Sequence, residues 1–337
     1  MNQRPGKALV FRCFILAFLA VSPLAGLGIN VLLDSAGQQA AQTNPPEKLA
    51  LRFAPRPRQT LVYSLQSRME SEGQSFLGRS LTLTAQADGQ IDVFVSQVGA
   101  DSVFTELSSA GIRVFLRTPG RQDEFTLKNS PDLPVRMTFD RAGRIRDIRN
   151  VETLEEQNPL NFSILEVLRN YWPAFPDKLL EAGESWPDHK RIVVPFQGMN
   201  LIIELEITFT LNAVVPSPEG RLALITVAYT VGLSGERHIE EFLGSFEGRG
   251  TGSGSMNFQV DGGYFTEYRL DYVIDGAMAM RKAESKVVEW PFKLSAGASL
   301  LLLEWRGNSE TLFDLTALLH ISYLSALRCA IIKKPSS

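Results

Sequence analysis

Four glycines occupy every second position of residues 248–255 and limit what this part of the chain can form. Alternate residues of a strand point to opposite faces, so Gly248, Gly250, Gly252 and Gly254 would leave one face bare. Glycine inside a strand usually marks a bend, a bulge or the close approach of another backbone or a ligand. A flexible Gly/Ser loop is the alternative, but the regular spacing favours a strand. We expect its bare face to meet another element or a ligand.

The residues that follow predict a β-hairpin. Met256 and Phe258 continue the face of the glycines, and the Asp-Gly-Gly sequence of residues 261–263 is typical of a turn. Apolar side chains then occupy even positions as far as Ile274, which is the pattern of a returning strand with one buried face.

A second segment repeats this arrangement. Residues 137–143 place methionine, phenylalanine and glycine at the same mutual spacing as residues 256–262. Matches at one constant offset indicate an internal duplication, so we expect a twofold architecture.

The rest of the chain predicts a β-rich domain of ordinary globular composition. Of 337 residues, 44% are apolar and 21% charged, which is enough for a large core. Short runs rich in Val, Ile, Phe, Tyr and Thr alternate with a period of two, most clearly in residues 201–211. Turn signals at Asp88-Gly89 and Pro119-Gly120 separate several runs, and such close spacing favours antiparallel pairing. We therefore predict a mainly β fold, with curved antiparallel sheet built from two duplicated halves, residues 59–150 and 187–305.

Residues 151–186 are predicted to connect the two halves. Asn158-Pro159 is typical of a helix start, and apolar residues at helical spacing predict one helix that ends near Tyr171. Three aromatic residues follow, and they either pack as a seam between the halves or form a surface for a partner: Trp172, Phe175 and Trp186.

The N-terminal segment, residues 1–33, predicts export. Basic side chains occur in residues 1–12, and residues 13–33 are uncharged over a length that crosses a bilayer as a helix. Because no convincing cleavage site follows, an uncleaved membrane anchor is favoured over a removed signal peptide. The positive flank should stay cytoplasmic, which places the main domain in the periplasm, or leaves it secreted if the segment is cleaved. We interpret the proline-rich residues 34–58 as an extended tether.

Within the C-terminal segment, residues 306–337, the stretch from Ser309 to Ile332 is strongly apolar. We interpret it as a helix that covers the sheet, with an interfacial membrane helix and an irregular tail as the alternatives. Cys13 and Cys329 lie in the two terminal segments, so the β-rich halves have no disulfide of their own.

Composition and motifs argue against several functional classes. A net charge of −3 without a basic stripe excludes nucleic acid as a partner. The three histidines lack metal-ligand spacing, and the glycines do not fit the dinucleotide fingerprint. No phosphate loop and no G-x-S-x-G elbow occur in the sequence. We therefore predict no metal, no cofactor and no catalysis, and keep a hydrolase of unknown type only as a third possibility.

Two short motifs in the connector carry a family resemblance. The segments Pro176-Asp-Lys178 and Ala182-Gly-Glu-Ser-Trp186, together with the Met-x-Phe hairpins, resemble a family of exported, β-rich bacterial envelope proteins classed as a domain of unknown function. Many such proteins carry a lipid-anchoring cysteine that this chain lacks, so the resemblance does not imply a lipid anchor. A looser architectural resemblance is to the curved half-barrels of periplasmic lipoprotein carriers.

Two functions are expected from these observations. The first is a membrane-tethered extracytoplasmic β-domain that binds a lipid or another apolar ligand on the glycine-bearing, concave side of its sheet. The second is a structural or assembly protein that binds an envelope partner through its edge strands or its connector aromatics.

Overall fold

The structure is a computed structural model that describes residues 48–74, 80–129, 132–159, 163–196, 199–239, 242–282 and 287–307. The predicted membrane anchor, the first part of the predicted tether and the predicted C-terminal helix lie outside these ranges. Neither helix in the described ranges has the length and hydropathy needed to cross a membrane.

Twelve strands and two helices make up the described chain. The first half contains β1 (Thr60–Gln74), β2 (Ser80–Val98), β3 (Ser102–Thr118), β4 (Arg121–Leu127), β5 (Val135–Asp140) and β6 (Ile145–Arg149). Two short helices follow, α1 (Glu152–Glu156) and α2 (Ile164–Tyr171). The second half contains β7 (Ser185–Phe196), β8 (Met199–Ser217), β9 (Gly220–Ile239), β10 (Phe242–Gln259), β11 (Tyr264–Lys282) and β12 (Val288–Arg306).

All twelve strands belong to one antiparallel sheet, which confirms the predicted fold class. The order across the sheet is β6-β5-β3-β2-β1-β12-β11-β10-β9-β8-β7, and β4 pairs with β3 beside β5. The second half is therefore an antiparallel meander, and the first half departs from one only because β4 and β5 both pair with β3. The two halves join at the centre, where Thr60 of β1 pairs with Arg306 of β12. The sheet is open between β6 and β7. The internal duplication stays a prediction.

The alternation of apolar and polar residues explains which face of the sheet is buried. In β8, Leu201, Ile203 and Phe209 are at most 2% exposed, whereas Glu204 and Glu206 lie on the solvent face. A strand whose side chains alternate in this way buries one face only. The apolar positions of the other long strands point to the same side, here called the inner face, and form one continuous core.

Both predicted hairpins are present, but one predicted turn is wrong. Residues 137–148 fall in the β5–β6 hairpin, and β10 is joined to β11 by a turn at residues 260–263. Asp88-Gly89, in contrast, lies within the uninterrupted strand β2. A Cβ atom on Gly89 would lie 2.8 Å from Ile112 Cα, so this glycine allows β3 to approach closely and does not form a turn.

Asn129 fills a gap in the pairing of β3. The pairing with β5 ends at Leu107, and the pairing with β4 begins at Ile112. Between them, the buried side chain of Asn129 accepts a hydrogen bond from the Ser109 backbone N–H (2.7 Å) and donates one to the Leu107 carbonyl (2.7 Å). Buried backbone groups need such partners, and here one amide side chain supplies both.

The connector contains two helices, and its main helix begins later than predicted. Ser163, and not Asn158-Pro159, caps α2, because its hydroxyl accepts a hydrogen bond from the Glu166 backbone N–H (3.3 Å). Serine followed by glutamate at the third position is the capping-box spacing. The predicted end near Tyr171 is confirmed. Helix α2 contacts both edge strands, β6 and β7, and so bridges the open side of the sheet.

The second part of the predicted tether packs against the core. Leu49, Leu51 and Phe53 are at most 4% exposed, and Leu49 forms an isolated β-bridge with Leu180. The Phe53 backbone N–H donates to the carbonyl of Arg141 (2.9 Å). The prolines of this segment prevent regular pairing without preventing burial, so composition alone was misleading here.

Candidate functional site

The glycine-bearing strand is present, and its bare face is covered by neighbouring side chains. Gly252 lies in β10 opposite Tyr229 of β9, and a Cβ atom on Gly252 would lie 2.5 Å from the Tyr229 hydroxyl oxygen. The Tyr229 hydroxyl donates to the backbone carbonyl of Asp271 in β11 (3.1 Å), so its ring crosses β10 above the glycine. Burial raises the pKa of Tyr229, and the neighbouring Tyr272 and Tyr268 raise it further.

The other three glycines are covered in a similar way. A Cβ atom on Gly250 would lie 2.8 Å from Ile274 Cα, which is backbone, and one on Gly254 would lie 2.5 Å from Leu270 Cδ2. At Gly248 the nearest atom is Ile274 Cγ2, at 2.9 Å. The glycine face therefore meets another element, as expected, and that element is protein.

The connector aromatics pack as a seam and do not form an exposed partner surface. Trp172, Phe175 and Trp186 are 6%, 1% and 3% exposed. The ring of Phe175 lies 4.6 Å from that of Phe258, and the Trp186 ring stacks on Phe209 at 5.2 Å. Because these side chains fill the core, the interpretation of them as a docking surface is wrong.

A cavity of about 130 Å³ lies between the inner face of the first half and the two helices. The sheet side of the cavity comes from β1, β2, β3, β4 and β12 and includes Leu65, Ser67, Ala87, Val93, Leu107 and Val114. The opposite side comes from the connector and consists of Leu154, Ile164, Val167, Leu168 and Trp172. Among the described residues, no charged side chain lines it. Small molecules bind in apolar clefts of this kind, where a few polar groups lie among hydrophobic side chains.

Small side chains on two adjacent strands form part of the cavity wall. Ser67 of β1 pairs with Ala87 of β2, and both residues line the cavity. Cross-strand partners point to the same face, so the two short side chains lie side by side. A larger residue at either position would enter the cavity.

Ser67 differs from the other serine of the cavity in its hydrogen bonding. The Ser109 hydroxyl donates to the carbonyl of Gln90 (2.9 Å) and accepts from the backbone N–H of Gly111 (3.2 Å). Ser67 is 7% exposed, and its buried hydroxyl has no hydrogen-bond partner among the described residues. A buried hydroxyl without a partner is unfavourable, so this group is the natural anchor for a ligand atom.

A buried lysine holds the helical side of the cavity in place. Lys190 of β7 is 10% exposed, and its ammonium group donates to the carbonyls of Asn170 (2.9 Å) and Trp172 at the end of α2. The Asp188 carboxylate lies 3.7 Å from the same ammonium group. Burial lowers the pKa of Lys190, and Asp188 opposes that shift. A cation at a helix C-terminus stabilises the last carbonyls, so Lys190 fixes the position of Trp172.

The outer face carries a wider and more polar groove of about 710 Å³. It is bordered by Arg68, Glu70, Thr251, Ser253, Asp271 and Ser295, and it also reaches the backbone side of Gly252. Burial raises the pKa of Asp271, which nearby Arg269 partly offsets. Within the described ranges, no group of three or more His, Cys, Asp or Glu side chains is placed to hold a metal ion.

The sequence of β1 marks Ser67 as a polar residue on an apolar face, a signal less conspicuous than the glycine pattern. In β1 the odd positions Leu61, Tyr63, Leu65 and Met69 are apolar, and Ser67 interrupts them on the same face. A polar residue on an apolar face indicates either a hydrogen-bonded core position or a ligand contact. The helical residues of the cavity gave no comparable signal.

Comparisons with known proteins define no family for the chain. No protein-family model matches it, and no curated protein sequence matches it. Among solved structures, lipovitellin, from a study of lipid–protein interactions, aligns with a TM-score of 0.41 at 11% identity. That alignment covers 75% of this chain and 26% of lipovitellin, so this chain spans about a quarter of that protein.

Two bacterial structures align more weakly. OccK5 (OpdH) of Pseudomonas aeruginosa gives a TM-score of 0.23 at 7% identity, covering 74% of this chain and all of that one. A Bacteroides fragilis protein described as exported, with a YmcC-like fold, gives 0.17 at 9% identity, covering 77% of this chain and all of that one. These scores are too low to support a shared function, and the site is defined by its geometry alone.

Proposed function

We propose that this protein is a membrane-tethered extracytoplasmic β-domain that binds an apolar ligand in the cavity between its inner face and helices α1 and α2, without catalysis. The observation that carries the proposal is a cavity of about 130 Å³, lined mainly by apolar side chains, between the sheet and the two helices.

The membrane location is supported by the sequence. The uncharged residues 13–33 follow a basic flank, and this arrangement favours an anchor that leaves the β-domain outside the cytoplasm. A binding site that lies outside the cytoplasm and close to a bilayer would be accessible to apolar molecules dissolved in that bilayer.

Quenching of Trp172 fluorescence would test the proposed site. Trp172 lines the cavity, so bromobenzene, a heavy-atom quencher of suitable size, should quench its emission saturably in the full chain held in amphipol. Trp172→Phe should remove the saturable part. Trp305→Phe should retain it, because Trp305 is 44% exposed and does not line the cavity.

A filling substitution gives the second arm of the test. Ala87→Leu adds a side chain inside the cavity and should abolish saturable quenching while raising the melting temperature. Ala85→Leu is the matched control, since Ala85 lies on the same strand and face, is 1% exposed and does not line the cavity. There the extra atoms overpack the core and should lower the melting temperature. Quenching that never saturates, or that survives Ala87→Leu, would refute the proposed site.

The alternative proposal of a structural or assembly protein is weakened at the connector, because the aromatic residues predicted to contact a partner are not at the surface. Trp172, Phe175 and Trp186 are buried, and substituting them would disturb the core before it disturbed any partner.

A further inference from the structure

We infer that the ligand of this cavity is a neutral molecule with one ring or a short alkyl chain and a single hydrogen-bonding oxygen, which Ser67 binds. This inference rests on the proposed function and names the ligand class. It begins from the Ser67 hydroxyl, which is buried on the cavity wall without a hydrogen-bond partner among the described residues. A hydroxyl both donates and accepts, so an alcohol, ester, ketone or ether oxygen would satisfy it.

The charge of the lining excludes ionised ligands. In the part of the chain that the structure describes, every side chain that lines the cavity is neutral. The charged neighbour of Ser67 along β1, Arg68, lies on the outer face, since successive strand residues point to opposite sides. A carboxylate or an ammonium ion placed beside Ser67 would lose its hydration without gaining a counter-ion. Free fatty-acid anions and amines are therefore poor ligands, whereas their neutral alcohol or ester counterparts fit.

The volume limits the part of a ligand that the cavity encloses. A cavity of about 150 Å³ lined by apolar side chains is known to hold benzene. At about 130 Å³, this cavity accommodates one ring or a chain of similar bulk. The sheet places Ser67 between Ala87 and Ala298, so its partners on both adjacent strands carry only a methyl group.

The test compares two probes that differ in one group. Phenol and toluene have the same shape, and only phenol carries an oxygen. Each is titrated against bromobenzene in the full chain, and displacement is read from the recovery of Trp172 fluorescence. We expect Ser67→Ala to weaken phenol binding by roughly 2- to 12-fold, the range of one neutral hydrogen bond, and to leave toluene binding unchanged or slightly tighter.

Ser71→Ala is the matched control. Ser71 lies on the same strand and face, is 1% exposed and also has a buried hydroxyl without a partner in the described chain, yet it does not line the cavity. It should change neither probe. Benzoate should not compete detectably at concentrations where phenol does.

The possible failures separate the two proposals. Equal effects of Ser67→Ala on phenol and toluene, or equal competition by benzoate, would overturn the ligand class while the cavity remained a binding site. Absence of saturable bromobenzene quenching would instead overturn the proposed function itself.

Discussion

Replacing Gly252 by valine should destabilise the domain, because the space above this glycine is occupied by Tyr229. The added Cβ would lie 2.5 Å from the Tyr229 hydroxyl oxygen, which is too close for any contact between non-bonded atoms. The ring must therefore leave its site, where it is 6% exposed and donates a hydrogen bond to the Asp271 carbonyl.

The size of the effect follows from these two losses. Overpacking a core site costs about 1–3 kcal/mol, and a lost hydrogen bond costs about 0.5–1.5 kcal/mol. The sum is roughly 2–4 kcal/mol, and each kcal/mol lowers the melting temperature of a domain this large by about 2–4 °C. We expect calorimetry or circular dichroism to show a decrease of roughly 5–15 °C. Thr251→Val, on the exposed face of the same strand, should change the melting temperature little.

A double-mutant cycle identifies what the added atom meets. In a Tyr229→Ala background, Gly252→Ala should cost less than in the wild type, because the obstructing ring is gone. Gly250→Ala should cost the same in both backgrounds, since its obstruction is the backbone at Ile274. An unchanged or raised melting temperature for Gly252→Val would indicate that residues 248–255 behave as a flexible loop. Absence of coupling between positions 252 and 229 would refute the clash with the Tyr229 ring.

Three further predictions concern stability. Asn129→Ala leaves the Ser109 N–H and the Leu107 carbonyl without their partner and should lower the free energy of unfolding in urea by about 2–5 kcal/mol; an effect below 1 kcal/mol would contradict the bridging role. Phe53→Ala should cost about 3–5 kcal/mol in the same assay, whereas a true tether residue would cost almost nothing. Burial raises the pKa of Tyr229, so the unfolded chain ionises first and the domain should lose stability above about pH 10. Tyr229→Phe should flatten that decline of the melting temperature, and an unchanged slope would count against the buried hydroxyl.

Local patterns in the sequence predicted those parts of the fold that depend on neighbouring residues. The alternation in β8 predicted its buried face, and the Pro119-Gly120 signal predicted the β3–β4 turn. Asp88-Gly89 carries the same kind of signal but lies inside a strand. Gly89 is needed there because the backbone of β3 passes too close for a side chain, and the local sequence does not show that contact.

The candidate site was less predictable than the fold. The glycine strand drew attention because its pattern lies within a few consecutive residues. The cavity instead depends on Ser67 and Ala87 lying side by side, and these residues come from two strands whose register is set by their pairing in the sheet. The sequence around a small residue on one strand does not show whether its cross-strand partner is also small.

The pairing of β1 with β12 has a consequence for how the chain reaches its native state. Almost the whole described chain separates these strands, yet they occupy the middle of the sheet. During synthesis, β1 and β11 would each present a long unpaired edge until the last strand emerges, and such edges promote aggregation. Contacts this distant in sequence slow folding, because the entropy of closing a large loop is lost before the contacts between β1 and β12 form. A chain truncated before Val288 would therefore lose a strand from the middle of the sheet and leave β1 and β11 as two unpaired edges.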